Sequence, residues 1–535
     1  MASATSAALD RDVLLHVIDF FDKPGNLRIL ATCARVCKAW CEPASRCLWR
    51  YLPSLHPLWY LLSNRNYAEN PRMAAFWEFV DTDDFVKDVI QRHPDQWAHF
   101  LEVASFVCGA DFASVSTELN LIRTVVKYNE GVTFLPSLHT LFWRHSVPDD
   151  TTCLLLCSPS LRSLHVGISR IRLTTTAIGA LSNRITQFSP SLEPILSGLP
   201  AAAPNLERLT VSDHAVQNTV TFAPHIESLG SLHELVLRTR SFALSPALMR
   251  GILEHIPQLA ALTTHIADFA EPGSQAVAPA LRRLDLLESR SPDLVNFLES
   301  GFLRAPVLVS LRIRSTDDEY HAASAQVIPA LAQASFAPRL HLLDLSISGD
   351  ELVSRSPEQN PTFGRLVAPL RTMRELLGVK IALGLHVVSI DDSDLRALAQ
   401  AWPCVQELEL GWLPLGPRAA PPLVALRHFA ALCPDLRSLT LTRMMLSRME
   451  GSGVEEKKEK EKAHPLTWLN VKSFTGDDDP EAIARFLDNL FPNLELADPE
   501  PVKDPAPNNN IINFQHESSR ITVEQRIRRL REARR

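Results

Sequence analysis

Glycine is scarce in this chain, 19 of 535 residues. The glycine-dependent elements of nucleotide and hydrolase chemistry are missing with it. No Gly-rich loop ending in Lys-Ser or Lys-Thr is present to cradle phosphates, and no Gly-x-Ser-x-Gly elbow presents a serine. A His-Glu-x-x-His zinc pair is also absent. The reading is therefore of a chain that is not itself an enzyme, with no cofactor and no metal expected. No run of about 18 apolar residues occurs, so no membrane span is expected. Met1-Ala2-Ser3-Ala4-Thr5 lacks the basic start and apolar region of a secretory signal, which points to the cytoplasm or nucleus. Neither sign of charge dominates: the formal net charge is −7, which argues against bulk nucleic-acid binding.

Cysteines number nine, an odd count without framework spacing, which fits reduced thiols. Cys33, Cys37 and Cys41 recur at i, i+4 and i+8 and mimic a metal-binding face. Zinc sites more often use close cysteine pairs or distant histidines, and small thiols pack well inside helices. Length sets a further bound, because at 535 residues one core no longer keeps growing and several units or a repeat array are expected.

The N-terminus carries the densest pattern. Leu14, Val17, Ile18 and Phe21 recur with helical spacing, and Pro24-Gly25-Asn26 breaks that helix. A second helical stretch runs through Leu27, Leu30, Ala31, Ala34 and Cys37, and a third is expected to start at Pro43. Three short helices bury too little surface to stand alone, and so large an apolar set on so small a module points to a partner-facing surface. The plain alternative is a helical cap on whatever follows, with Trp40 and Trp49 filling its core.

This segment resembles an F-box. Leu9, Asp12, Val13, Leu14, Ile18, Phe21, Asp22, Val36, Cys37, Lys38, Trp40, Leu48 and Trp49 match the usual order, with Asp10 in place of the usual Pro and a longer loop over Lys23 to Leu27. The resemblance implies docking to a Skp-family adaptor through Leu9, Val13, Leu14, Ile18, Phe21, Val36, Trp40, Leu48 and Trp49. Through that adaptor it implies a cullin.

The rest of the chain repeats Pro-x-Leu-x-x-Leu-x-Leu. Examples are Pro159 to Val166, Pro204 to Val211, Pro279 to Leu286, Pro306 to Ile313, Pro338 to Leu345, Pro403 to Leu410 and Pro434 to Leu441. Partial units occur at Pro136, Leu232, Pro257, Leu466 and Pro492. In Leu-x-Leu both leucines face one side of a strand, while the leading proline ends the preceding helix. Stretches such as Leu248 to Ile256, Asp394 to Ala401 and Val424 to Leu432 show helical spacing between strands. Strand, loop and helix recurring at roughly 22 to 32 residues is the leucine-rich-repeat pattern. Two intervals about twice as long are expected to hide degenerate repeats at Ile185 to Phe188 and Leu385 to Ile390. Standard repeats place Asn or Cys just after the strand, whereas Ser169, His214 and Ser289 stand there here.

The chain therefore resembles an F-box protein with leucine-rich repeats. The expected fold is α/β: a three-helix F-box over 1–54, an aromatic-rich helical linker over 55–130, an irregular repeat horseshoe over 131–497, and a Pro/Asn linker with a basic terminal helix over 498–535. The resemblance implies the substrate-recognition subunit of a cullin–RING ubiquitin ligase. Two alternatives are a repeat scaffold that assembles no ligase and a GTPase regulator working through an arginine such as Arg238, Arg240, Arg312 or Arg314.

The residues between the paired leucines mark the expected site for a protein target: His165, Thr210, Asp285, Arg312, Asp344 and Glu409, with Val236, Thr440 and Asn470 in the same row. Their mixed charge suits a protein surface more than a membrane or nucleic acid. Other charged features read as structural. Asp391 to Asp394 and Asp477 to Asp479 cap the helices that follow. Gly451 to Lys462 is a solvated insertion with four Glu and four Lys. The tail 525–535, with six Arg and one Glu, is a solvated terminal helix.

Overall fold

The computed structural model describes residues 14, 16–18, 26–63, 81–113, 116–145, 151–168, 192–212, 223–226, 228–238, 243–270, 273–316, 320–348, 362–387, 390–413, 420–446, 464–475, 480–495, 527–528 and 531–532. They fall into two compact units, residues 1–243 with 251–264, and residues 244–250 with 265–535.

In the first unit every sheet pairing is parallel and joins strands consecutive in sequence. The strands are β1 (Tyr51–Leu52), β2 (Gly109–Ala113), β3 (Thr140–His145), β4 (Ser163–Ile168), β5 (Arg208–Ser212), β6 (Glu234–Leu237) and β7 (Ala261–Thr264). Register follows the leucines: Leu141, Leu164, Leu209, Leu235 and Leu262 stand opposite one another, and all are fully buried. Each such side chain contributes about 1.5–3 kcal/mol by leaving water. Helices Ser116–Tyr128, Thr152–Leu156 and Glu193–Ala202 lie between the strands in sequence and pack one against the next.

The second unit repeats the design. Its strands are β8 (Arg283–Ser289), β9 (Ser310–Thr316), β10 (Leu342–Ser348), β11 (Gly378–Val387), β12 (Glu407–Leu413), β13 (Ser438–Met445) and β14 (Trp468–Thr475), all parallel. Leu284, Leu311, Leu343, Val379, Leu408, Leu439 and Leu469 form one aligned row, and Leu286, Ile313, Leu345, Ile381, Leu410, Leu441 and Val471 the next. A side ribbon pairs Ala276–Val277 with Leu303–Arg304.

One backbone device sets register throughout. A single carbonyl accepts from two consecutive N–H groups at the head of the next strand. Cys108 O takes His139 and Thr140, His139 O takes Arg162 and Ser163, and Arg437 O takes Thr467 and Trp468. Aligned leucines on short parallel strands, with helices between, make this a leucine-rich-repeat array of the α/β class.

The structure departs from the sequence reading in several places. The parallel sheet begins at β1 and β2, inside the stretches read as F-box and helical linker. β2 is hard to see because Ala110 and Phe112 replace the paired leucines. The hidden repeat after Leu340 is β11, which opens at Gly378 rather than near Leu385; its pattern, Leu376-x-x-Val379-x-Ile381, has no leading proline. In the other long interval β4 pairs directly with β5, so no strand lies between them; Ile185 to Phe188 are outside the described residues. The helix expected from Pro43 runs over Lys38–Trp49, and the second helix stops at Cys33. Pro43 forfeits one helical hydrogen bond, but its face is buried with Ala44 and Cys47, which offsets that cost.

Hydroxyls take the place of the usual Asn. Ser289 Oγ donates to Leu287 O at 3.0 Å and accepts from Ile266 N at 3.2 Å. Thr442 Oγ1 accepts from Trp412 N at 3.1 Å. Ser169 and His214 are outside the described residues. The acidic cluster caps as expected: Asp391 accepts from Asp394 N at 2.8 Å, and Asp394 returns the bond to Asp391 N at 3.3 Å. Asp477 to Asp479 and Gly451 to Lys462 are outside the described residues. The tail, in contrast, is not simply solvated: Ile527 is buried, and Arg531 bonds Asp488 on helix Pro480–Leu490.

Candidate interaction surfaces

The N-terminal helices share a small core of their own. Ile18, Leu30, Ala44 and Cys47 are its centre, with Cys33, Ala34, Trp40 and Leu48 packed around them. Ile18, Trp40 and Leu48, from the proposed adaptor set, therefore hold the helices together. Leu14 is buried as well. Trp49 lines a cleft of about 410 Å³ with Val103 and Phe106 of the following segment. Val36 is 65% exposed. Leu9, Val13 and Phe21 lie outside the described residues.

Exposure finds residues that the motif does not mark. Among the described residues, eleven large apolar side chains are exposed, and six of them fall between positions 17 and 60: Val17, Leu27, Ile29, Val36, Tyr51 and Tyr60. Cys33 lies in helix Leu27–Cys33, Cys41 in helix Lys38–Trp49 and Cys37 between them, so they do not share one helical face.

The between-leucine row of the second unit forms a ladder. Asp285, Arg312, Asp344, Lys380, Glu409, Thr440 and Asn470 stand opposite one another on successive strands. The first five alternate in sign, and they pair. Arg312 Nε donates to Asp344 at 2.6 Å and its Nη1 lies 3.9 Å from Asp285. Lys380 Nζ donates to Glu409 at 2.8 Å, with Lys472 Nζ 3.8 Å from the other carboxylate oxygen. Lys380 was left out of the sequence reading because β11 was placed too late. A recess of about 390 Å³ lies over the ladder. Arg312, one of the arginines a GTPase regulator would need, is engaged between two carboxylates. Arg240 is outside the described residues.

The equivalent row in the first unit reads Asp111, Phe142, His165, Thr210, Val236 and Thr263. It is almost uncharged at its centre. Phe142 stacks on His165 with centroids 4.2 Å apart and planes 12° apart. Ser163 Oγ lies 3.2 Å from His165 Nε2. Partial burial pushes the imidazole below its ordinary value, and the positive charges of Arg208 and Arg238 push it the same way. Arg144 pairs with Asp111, and Arg208 with Glu234 at 2.6 Å. Among the described residues no helix is long and apolar enough to cross a membrane.

No protein-family model matches the chain, and no curated protein matches it. Among solved structures it is similar to a leucine-rich-repeat protein of Leptospira interrogans, at 13% identity and TM-score 0.29, over 75% of this chain and 86% of that one. It is also similar to a chain of the mouse RP105/MD-1 complex, at 12% identity and TM-score 0.34, over 68% of this chain and 58% of that one. A Bacteroides fragilis protein is similar at 14% identity and TM-score 0.26, over 60% and 68% of the two chains. At these scores the assignment of the repeats rests on the aligned strands themselves.

Proposed function

We propose that this chain is a substrate receptor of a cullin–RING ubiquitin ligase, active in the cytoplasm or nucleus and without catalytic chemistry of its own. Its N-terminal helices dock a Skp-family adaptor, which joins it to a cullin. Its repeats hold a protein target. The observation that carries the reading is the concentration of exposed apolar side chains in the N-terminal module, where Val17, Leu27, Ile29 and Val36 are each at least 40% exposed. A small helical module presenting such side chains to water is suited to a groove on a partner. Fully burying an exposed side chain of this size contributes about 1.5–3 kcal/mol, and these, already partly covered, would each contribute a fraction of that toward binding.

Within the adaptor set the burial pattern divides the labour. Among its described members Val36 is exposed and available for direct contact, while Ile18, Trp40 and Leu48 shape the face. The experiment is co-elution of the full chain with a Skp-family adaptor in size exclusion. Val36→Glu together with Leu27→Glu is expected to abolish co-elution while leaving the thermal midpoint unchanged. Absence of co-elution for the wild-type chain would overturn the proposal. Adaptor binding without recruitment of a cullin would leave an interaction scaffold that assembles no ligase.

A further inference from the structure

The strand face of the first unit carries a positive charge that nothing on it answers. Arg238 follows Leu237 at the end of β6; its backbone N–H donates to Val211 O at 2.9 Å and its side chain is exposed. Side chains alternate along a strand, so Arg238 shares the face of Val236. Val236 is in register with Thr210 and, through it, with His165. The other arginines of this face are engaged, Arg144 by Asp111 and Arg208 by Glu234. Arg238 has no ion-pair partner among the described residues, and the Ser212 hydroxyl on the neighbouring β5 has no hydrogen-bond partner among them. Between these two and His165 the floor is low. Gly167 is the register partner of Ser212, and a Cβ on it would stand 3.0 Å from Ser212 Oγ.

Charge selects the occupant. The His165 ring records the sign of the field, because Arg208 and Arg238 both push it toward its neutral form and outweigh Glu234. A cationic side chain brought to this face would meet that field. An uncharged one would cover Arg238 and leave a desolvated charge unpaired, which is costly. A polyanion would bring a run of charges against Asp111 and Glu234, which lie on the same face. A single carboxylate escapes all three objections: it finds a guanidinium and a hydroxyl with free donors, and charge-assisted hydrogen bonds are the strong ones. Beside them the half-buried Phe142, stacked on His165, offers an apolar surface to the same segment.

We propose that this face docks an acidic segment of a protein partner, in which one Asp or Glu carboxylate accepts from Arg238 and Ser212 while an apolar side chain of the segment covers Phe142 and His165. The proposal rests on the reading that the repeats hold a protein target, and it specifies the chemistry of the segment held.

The probe is an end-capped peptide, Gly-Phe-Ser-Phe-Glu-Phe-Ser-Phe-Gly, immobilised through biotin and exposed to the full chain in a surface-binding assay. Its phenylalanines stand at several distances from the one charge, so no spacing is assumed. Saturable binding is expected. It should weaken by about tenfold or more in Arg238→Gln and by less in Ser212→Ala, and both variants should melt as the wild type does. Replacing the peptide's Glu by Gln should cost as much as Arg238→Gln, and the two losses should not add, because they remove the same contact. No saturable binding to the wild-type chain would overturn the proposal, as would affinity unchanged in Arg238→Gln or fully additive losses. Tighter binding through Arg238 of the peptide with phosphoserine in place of Glu, or of an immobilised oligothymidylate, would also overturn it. Adaptor co-elution without peptide binding defeats this inference alone. Peptide binding without adaptor co-elution defeats the ligase reading and leaves this one standing.

Discussion

Arg531 Nε donates to Asp488 at 2.8 Å, and its Nη1 donates to Leu494 O at 2.6 Å. Asp488 is 2% exposed, so a residue from the far C-terminal tail neutralises a buried carboxylate on the last described repeat helix. Repeat arrays need such closure, because the final unit has no neighbour to cover it. Truncation after residue 520 is expected to lower the thermal midpoint, since it also removes the buried Ile527. Arg531→Ala should cost about 1–3 kcal/mol through the carboxylate left behind. Calorimetry of the three proteins tests this; identical midpoints would mean that the tail contributes nothing.

Gly364 sits against the capping box of helix Asp392–Ala401. A Cβ at that position would overlap the Asp394 carboxylate, which has little room to move because it is already bonded to Asp391 N. Gly364→Ala should therefore undo the cap and destabilise the fold by about 1–2 kcal/mol. Gly230→Ala, where a Cβ meets nothing within 4 Å, is the control. Urea midpoints of the two variants should separate accordingly.

Arg312 and Asp344 are bonded across β9 and β10, but the Arg312 side chain is 42% exposed. Solvent screening holds such a pair to about 0.5–1 kcal/mol. A double-mutant cycle with both alanines should return a coupling in that range by urea unfolding. The double variant should keep its adaptor binding and lose affinity for the target. Equal loss of both would mean that the ladder acts through the fold rather than at a docking surface.

His165 provides a pH dependence. Its folded-state value is depressed, chiefly by burial, so the unfolded chain takes up this proton first as pH falls. Its contribution to stability is present above the ordinary histidine value of 6.5 and is lost as pH drops from there toward the folded value. Stability should therefore fall as pH drops below 6.5, and His165→Phe, which keeps a ring against Phe142, should flatten part of that slope. A slope unchanged in the variant would assign the effect to other groups, such as His464, whose burial shifts it the same way.

Thiol reactivity should sort by burial. Cys37, Cys41 and Cys404 are exposed, whereas Cys47, Cys153, Cys157 and Cys433 are buried. Burial pushes the Cys157 and Cys433 thiols up to about 12, so neither forms the reactive thiolate near neutral pH. Iodoacetamide at pH 7.5 followed by peptide mass spectrometry should label the exposed three in the native state and all nine in urea.

Most of the array was legible because its signal is covalent in origin: a proline that opens each strand, then leucines whose spacing only a strand places on one side. The signal failed where small or branched residues do the same work. Val379 and Ile381 fill the leucine positions of β11, and without a leading proline the repeat expected in that interval was placed too late, near Leu385, which left Lys380 out of the row. Ala110 and Phe112 hid β2 in the same way. Asp391 was readable as a cap because capping is local. The pairing of Arg312 with Asp344 joins residues 32 apart in sequence and depends on register, which no short motif records. In the N-terminal module, Leu27 and Ile29 have the same composition as core residues, and only the finished packing of Ile18, Leu30 and Cys47 shows which side chains remained outside.

Side-chain hydrogen bonds that join the last strands of the second unit span nearly constant sequence distances. Thr442 to Leu410 covers 32 residues, and Ser473 to Thr442 and Thr475 to Met444 cover 31 each. Each rung thus answers only to the one before it. Under a load applied at one end, such a stack is opened from that end. Pulled from its C-terminus, the second unit should yield rung by rung, each step releasing about thirty residues of chain. A molecular motor pulling on that end would meet a ladder that shortens while the rungs below keep their grip.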